Sequence, residues 1–539
     1  MRNFLIICLS CSLLFACKSN KKEDHRPNII VIMADDMGYN DLGCYGSEIP
    51  TPHLDRLAQN GKIITQFYNA ARCCPSRASL LTGRYPHQAG IGAMTEGLMH
   101  PDSTIIPSYI GYLNDTSVTI AEVLNEAGYQ TFMSGKWHVG DSLTQWPYDR
   151  GFEKTFSLIW GASNYFNTKP FINKNQEIVV TENGKKVDLD SDFYFTDKFT
   201  EKAGEFIENR DHNKPFFLYL SYTAPHWPIH APEEDIQLFE GKYMIGWDSL
   251  RLQRVKNLKS KKLIPENTLL SPRHKSVPPW HTISPDDQKI WDRRMAVYAA
   301  MIYKMDQGIG RIYDKLKEDG ELENTIIMFL SDNGATKAEI FWITDWIAER
   351  GGPIGSEASF QSYGKWANTS NAPFREFKSK VHEGGILTPF IISWPEKFNH
   401  GIIKDYPAHI MDIMPTLIEA AGAEYPEKYK GKRIGRHEGK SLLPVLLGQH
   451  QYSERIFFWE HSGEKAVRSG DWKLIMEGEE WKLYNLSEDR TELNDLSAQN
   501  PEIKHELEQK YLKWAEKVGV VPDSLYDDLI LIRNADWFE

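Results

Sequence analysis

The run Asn28-Ile-Ile-Val-Ile-Met-Ala34 is nearly unbroken in apolar residues and stops abruptly at Asp35-Asp36. A strand with one wet face alternates apolar and polar side chains, so a continuous run marks a strand covered on both faces, as in a parallel sheet. Parallel neighbours need a crossover between them, usually a helix, and the chain supplies that alternation. Thr51-Pro52 opens a helix that stops at Gly61, with Thr as cap, Pro in the first turn and Gly at the end. Thr119 to Ala127 reads as a helix before a short strand near Thr131. Thr196 to Glu208 reads as an amphipathic helix before the strand Phe216 to Ser221, and Arg293 to Glu318 as a long helix before the strand Thr325 to Ser331. The expected fold class is α/β, a large, mostly parallel sheet flanked by helices.

Two stretches break this pattern. Glu240 to Asp286 is polar, with basic and Pro-containing segments, and reads as an insertion over the surface. After about Gly431, short aromatic runs follow one another at Arg455 to Trp459, Ala466 to Ser469, Trp472 to Met476 and Lys482 to Leu486, punctuated by Gly470 and Gly478. That texture predicts a smaller C-terminal antiparallel sheet, followed by a helix over Pro501 to Val518.

Charge and cysteines narrow the function. Lys and Arg number 62 against 74 Asp and Glu, a net charge of -12. This excludes a nucleic-acid partner, which would need clustered cations. An anionic substrate must be held by a local group of cations. Three of the six cysteines, Cys8, Cys11 and Cys17, lie in the N-terminal segment. Cys44, Cys73 and Cys74 remain, which form neither a disulfide framework nor a zinc spacing. Cys44 and Cys74 read as buried free thiols, a bridge between them being the alternative in an exported chain.

Cys73 opens the segment Cys73-Cys74-Pro75-Ser76-Arg77-Ala78-Ser79-Leu80-Leu81-Thr82-Gly83. It matches C-x-P-S-R-x-x-x-L-T-G at every fixed position and resembles the formylglycine-dependent sulfatases of the alkaline-phosphatase superfamily. The resemblance extends from Asn28 to about Val518. It implies that a maturation enzyme converts Cys73 to formylglycine, whose hydrate attacks sulfur. The chemistry is coherent: a serine would be left as a stable sulfate ester, whereas a geminal diol can expel sulfate by collapsing to the aldehyde.

Further motifs match the same family. Asp35-Asp36 ends one apolar run and Ser331-Asp332-Asn333-Gly334 another, and in open α/β sheets ligands sit beyond the C-terminal ends of the strands. Three carboxylates and one amide oxygen suit a hard cation, and the lack of His and Cys in this set disfavours zinc. The resemblance assigns one Ca²⁺, favoured over Mg²⁺, to Asp35, Asp36, Asp332 and Asn333, with converted Cys73 completing the shell. Gly135-Lys136-Trp137-His138, Ala224-Pro225-His226-Trp227-Pro228 and Lys378, ahead of Glu383-Gly384-Gly385, match the segments that ring the sulfate. Arg77, Lys136, His138, His226 and Lys378 are the implied catalytic set, with Lys380 the competitor for the place of Lys378. Such preorganised donors suit a transition state rich in negative charge. His138 would take the proton that lets the diol collapse, Asp332 that of the attacking hydroxyl, and His226 or Lys378 would protonate the departing alcohol.

Candidates for substrate contact lie outside the fixed motifs: Asn164, Tyr165, His87 and Trp366, with packing an equal reading for Trp366 and Tyr165. Trp459-Glu460-His461 reads as support for the contact between the two parts of the chain. The expected substrate is a sulfated glycan or small molecule, a carbohydrate sulfate ahead of an aryl sulfate. Rival readings are a phosphatase or phosphonate monoester hydrolase on the same scaffold, and a glycan-binding lipoprotein with a dead site. At the N-terminus, Arg2, the apolar stretch Phe4 to Phe15 and Leu14-Phe15-Ala16-Cys17 resemble a bacterial lipobox. The expected organisation is a lipoprotein signal over 1–17, lipidated at Cys17, a tether over 18–26, a catalytic domain over 27–430 and a C-terminal subdomain over 431–539. An exported protein follows, in the periplasm or at the cell surface, touching the membrane only through its anchor.

Overall fold

The computed structural model describes residues 25–95, 105–170, 177–189, 192–338, 352–449, 454–522 and 524–525. The segment with Cys17, the tether up to residue 24 and the chain from 526 onward lie outside them.

Five parallel strands form the middle of a ten-stranded sheet. They are β1 (Asn28–Ala34), β2 (Gln130–Lys136), β3 (Lys154–Leu158), β4 (Phe216–Ser221) and β5 (Thr325–Ser331). Their order is β5-β1-β4-β2-β3. The sheet is mixed rather than parallel throughout. Phe390–Ser393 pairs antiparallel with β5, and Val180–Glu182 pairs antiparallel with β3. The unbroken apolar run of β1 has the predicted cause. Ile30, Ile32 and Ala34 join one buried cluster, and Ile29, Val31 and Met33 another. Each fully buried Ile or Val stabilises by about 1.5–3 kcal/mol, so both faces reward the apolar sequence.

Helices cover both faces. α1 (Pro52–Gln59), α4 (Phe195–Glu208), α5 (Trp247–Ser260) and α6 (Pro285–Glu318) contribute to the first cluster. α2 (Cys73–Thr82) and α3 (Ile120–Glu126) contribute to the second. Helix α6 starts eight residues earlier than Arg293, because the Ser284 hydroxyl caps the Asp287 amide and Pro285 suits a first turn.

The stretch from Glu240 to Asp286 corrects the sequence reading. It lies over the surface but is not merely polar covering, since α5 runs through it and buries Trp247, Leu250, Arg251, Arg254, Val255 and Leu258. These positions have helical spacing, but two hold arginine, which hides the stripe. Arg254 is paired at 2.6 Å with Asp41 and 2.7 Å with Glu48.

The C-terminal part is an antiparallel sheet of β6 (Ile456–His461), β7 (Glu464–Ser469), β8 (Trp472–Glu477) and β9 (Glu480–Asn485). Helix α7 (Pro501–Val518) buries Leu507, Tyr511 and Trp514. Among the polar ties that fix the sheet to the larger body, Trp459 Nε1 donates to Asn69 O at 2.7 Å, Arg455 grips both oxygens of Asp412 at 2.6 and 2.7 Å, and Lys473 Nζ lies 2.8 Å from Glu383.

Candidate active site

Strand register sets the site. Ala34 is level with Ser331, and Met33 and Gly135 are both level with Ser221. The residues that follow these strands therefore emerge together at one edge: Asp35-Asp36, Asp332-Asn333, and Trp137-His138 just beyond Lys136. Gly135 permits this closeness, since a Cβ there would stand 1.8 Å from Ser221 O. Gly334 is equally constrained, at 1.9 Å from Gly384 O, which draws the Ser-Asp-Asn-Gly and Glu-Gly-Gly segments together.

Helix α2 delivers Cys73 as its first residue, and each fixed residue of the motif has a local task. Pro75 sits in the first turn, where its missing N–H costs nothing. The Ser76 hydroxyl accepts from Ala70 N at 2.9 Å and holds the entering turn. Thr82 Oγ1 donates to Ala78 O, and Gly83 closes the helix at φ 66°. Arg77 is wholly buried. Its Nη2 lies 2.8 Å from Asp332 Oδ2 and 3.6 Å from Asp35 Oδ2, and its Nη1 donates to Lys136 O at 3.2 Å.

The charged groups interlock around Cys73. Lys136 Nζ stands 2.5 Å from Asp35 Oδ2, and Lys378 Nζ stands 2.6 Å from Asp36 Oδ1. Asn333 Nδ2 donates to Asp36 Oδ1 at 2.6 Å. His226 Nε2 lies 3.5 Å from Asp36 Oδ2, and its Nδ1 is 2.5 Å from Trp227 O. A hydrogen bond from the Cys74 thiol, with Lys378, Lys136 and His138, holds the Cys73 thiol well below the usual thiol range despite its burial. Burial pushes His226 down to about 3, against the pull of Asp36. Burial and the Asp332 charge raise the Asp35 carboxyl well above the ordinary range, whereas at Asp36 burial is outweighed by Lys378 and His226 and the carboxyl is lowered.

This donor set fits a hard cation. Asp35 Oδ1, Asp36 Oδ2 and Asn333 Oδ1 are buried and have no hydrogen-bond partner among the described residues. Three unpartnered oxygens on three of the four expected ligands are costly unless a cation draws on them. The exclusion of histidine from this set needs correction, because His226 groups with Asp35 and Asp36 within ligand distance. The strand after which a loop returns cannot be read from spacing alone.

Lys378 and Lys380 part company in the structure: Lys378 sits on Asp36, and Lys380 turns outward to pair with Glu464. The four substrate candidates, by contrast, are packed inside. Trp366 is 0 % exposed, set edge-on against Trp247, and donates from Nε1 to Trp291 O at 2.8 Å. Tyr165 donates its hydroxyl to Thr223 O at 2.6 Å and His226 O at 3.0 Å, so it braces the His226 loop from behind. Asn164 donates to Glu357 O at 2.6 Å. His87 meets Glu460 at 2.7 Å, beneath the C-terminal sheet. Burying large rings is worth more than exposing them, and that gain places these loop residues inside. The site also contains a contact the sequence did not indicate: Cys74 Sγ lies 3.2 Å from His138 Nε2. Cys44 and Cys74 are not bridged to one another, and Cys44 is only part-buried.

Comparisons with known proteins agree with this geometry. The family model described as Sulfatase matches residues 27–423, and that described as N-sulphoglucosamine sulphohydrolase, C-terminal, matches residues 376–517. An uncharacterized sulfatase of Schizosaccharomyces pombe is 37% identical over 93% of this chain and 96% of its own. An arylsulfatase of Klebsiella aerogenes is 37% identical over 81% of this chain and 93% of its own. The solved structure of Ps i-CgsB in complex with k-i-k-neocarrahexaose superposes with a TM-score of 0.66 at 28% identity, covering 91% of this chain and 93% of that one. With that match over most of its length, the chain belongs to the sulfatase family and is a sulfuric ester hydrolase.

Proposed function

We propose that the protein hydrolyses a sulfate ester on a carbohydrate, using formylglycine made from Cys73 and one bound Ca²⁺. The observation that carries the reading is the placement of Cys73 at the start of α2, ringed by Arg77, Lys136, His138, His226 and Lys378. Formylglycine supplies a hydrated aldehyde as oxygen nucleophile and a route to release sulfate without a stable ester. Ca²⁺, held by Asp35, Asp36, Asp332 and Asn333, supplies positive charge for sulfate oxygens.

The chain's own groups do the remaining work. Lys136 and Lys378 bring positive charge to the site, each seated on a carboxylate. Arg77 fixes Asp332 and Asp35 and is itself locked by Ser221 and Lys136. His226 is neutral at physiological pH with its Nδ1 facing a carbonyl, so Nε2 is the atom that faces the site and exchanges a proton. His138 exchanges a proton at residue 73, and Lys378, whose ammonium carries the proton, protonates the leaving alcohol, since a neutral His226 with its proton on Nδ1 has none to give at Nε2. Support for a carbohydrate comes from the likeness to Ps i-CgsB, solved with a neocarrahexaose. An aryl sulfate is the alternative, as in the Klebsiella aerogenes relative. The Leu14-Phe15-Ala16-Cys17 segment supports export as a lipoprotein, in the periplasm or at the cell surface.

The test couples two measurements. Co-expression with a maturation enzyme should change the mass of the Cys73 peptide to that of formylglycine. The converted protein is then assayed on defined sulfated mono- and disaccharides, an aryl sulfate and a phosphonate ester. Desulfation of a sugar is expected, and Cys73→Ala should abolish it. Turnover by Cys73→Ala, or preference for the phosphonate, would overturn the reading. Loss of lipid labelling in Cys17→Ala checks the anchor.

A further inference from the structure

Cys73 and Cys74 are consecutive at the start of α2, and His138 follows β2. All three are buried, and their ligating atoms lie within 4.8 Å of one another. Cys74 Sγ is 3.2 Å from His138 Nε2 and 3.7 Å from Met94 Sδ. The reaction proposed above gives the Cys74 thiol no part. Two thiolates and an imidazole are a soft donor set, opposite in kind to the oxygens of Asp35, Asp36, Asp332 and Asn333. Tetrahedral zinc holds sulfur at about 2.3 Å and nitrogen at about 2.0–2.1 Å, which sets its ligand atoms roughly 3.5–4 Å apart. The Cys73, Cys74 and His138 triangle is therefore close to the size of a zinc site.

The third corner is held firmly. His138 adopts φ 54°, and its ring lies over Gly161, where a Cβ would come within 2.3 Å of it. The nearby cations do not bar a divalent ion, since Lys136 and Lys378 are each seated on a carboxylate at 2.5 and 2.6 Å.

We propose that before Cys73 is converted, Cys73, Cys74 and His138 bind a thiophilic d¹⁰ cation, Zn²⁺ foremost, and that conversion of residue 73 dismantles this site. On binding, both thiols release their protons to solvent, two metal–sulfur bonds and one metal–nitrogen bond form, and no electron is transferred. Solvent completes the tetrahedron. Conversion removes the Cys73 sulfur and leaves one thiol and one imidazole, too few for a closed site. The unconverted fraction of a preparation is then a zinc-blocked protein, distinct from the calcium-loaded mature enzyme. Only the second half of this proposal rests on the formylglycine reading.

The experiment uses the full chain made without a maturation enzyme, incubated with Zn²⁺, passed over a weak chelating resin and analysed for metal. About one tightly held zinc per chain is expected. Cys74→Ser and His138→Ala should lower it to background, while His226→Ala, which alters only the neighbouring Asp35, Asp36 and His226 group, should retain it. Cys74→Ser is nearly isosteric, and its melting curve shows whether it has folded. Co²⁺ serves as a second probe, giving thiolate charge-transfer absorption in the wild-type chain and none in Cys74→Ser. No tight zinc in the wild-type chain, zinc retained in folded Cys74→Ser, or zinc lost in His226→Ala but not in Cys74→Ser would overturn the site. Zinc that still depends on Cys74 in mass-verified converted enzyme would overturn its dismantling. If Cys73 cannot be converted at all, the formylglycine reading fails while the zinc stoichiometry still decides the site.

Discussion

Lys378 and Lys380 stand two positions apart, and their surroundings separate them. Lys378 is buried on Asp36, and that carboxylate raises its ammonium pKa against the opposing effect of burial. Lys380 turns outward to Glu464. Lys378→Ala should lower kcat/KM on an aryl sulfate by roughly 10²–10³-fold, the scale of losing one preorganised donor at a developing charge. Lys380→Ala should stay within about twofold, as exposed ion pairs contribute little. Equal losses in the two variants would reverse the assignment. Tyr165 offers a subtler case, because its hydroxyl supports the backbone of the His226 loop without meeting substrate. Tyr165→Phe leaves two buried carbonyls short of a donor, at a cost of about 1–3 kcal/mol. The predicted readout is a lower melting temperature with a fall in kcat larger than any change in KM. An unchanged kcat would remove Tyr165 from the positioning of His226. Between the two roles the sequence left open for Tyr165, substrate contact and packing, the hydroxyl's bonds to Thr223 O and His226 O favour the second, which a side chain in a loop does not reveal from sequence.

At the scale of elements, the parts of the fold written in local pattern were legible. β1, β4 and β5 begin and end close to their apolar runs, and α7 spans the residues expected of it. Helix α5 was not legible, because Arg251 and Arg254 occupy inward positions made tolerable by partners outside the helix, among them Asp41, Glu48, Asn40 and Asn368 from distant segments. The tie between β8 and the catalytic body was equally hidden. Lys473 Nζ sits 2.8 Å from Glu383 and 2.7 Å from Glu492, with all three side chains 0 % exposed. Glu383 belongs to the Glu-Gly-Gly segment, which sequence reading used only as a ruler for Lys378. Removing one partner of such a buried group leaves uncompensated charge and costs about 3–5 kcal/mol. Lys473→Met should therefore lower the melting temperature markedly, measured by calorimetry, and restoring a cation with Lys473→Arg should recover less than the full loss because the guanidinium is larger. A melting temperature for Lys473→Met within a degree of the wild type would show that the network contributes no net stability.

Over the whole molecule, the edge proposed as catalytic gathers residues from sequence positions as far apart as Asp35 and Lys378; the shared register of parallel strands brings Asp35, Lys136 and Asp332 together, and the loop bond from Lys378 N to Ala335 O adds Lys378. That arrangement concentrates carboxylates: Asp35, Asp36 and Asp332 lie in one buried group, and Asp332 is among the charges that raise Asp35. Arg77, Lys136 and Lys378 offset part of the repulsion, yet oxygens of Asp35, Asp36 and Asn333 are left without partners among the described residues. A Ca²⁺ ion drawing on those oxygens would bind the folded chain and not the unfolded one. By mass action it would then add about 2.7 kcal/mol of stability at a concentration one hundred times its dissociation constant. Chelation of the purified enzyme should therefore depress the melting temperature and the turnover together, and Ca²⁺ should restore both. Asp332→Asn is expected to weaken the calcium dependence of the melting temperature even in unconverted protein, where no activity exists to be measured. That readout matters because it tests the ion's hold on these strands apart from the chemistry at residue 73. A melting curve indifferent to calcium in the wild-type chain, or one that responds to zinc and not to calcium through Asp35, Asp36 and His226, would assign the carboxylates to another metal and with it reopen the phosphatase reading.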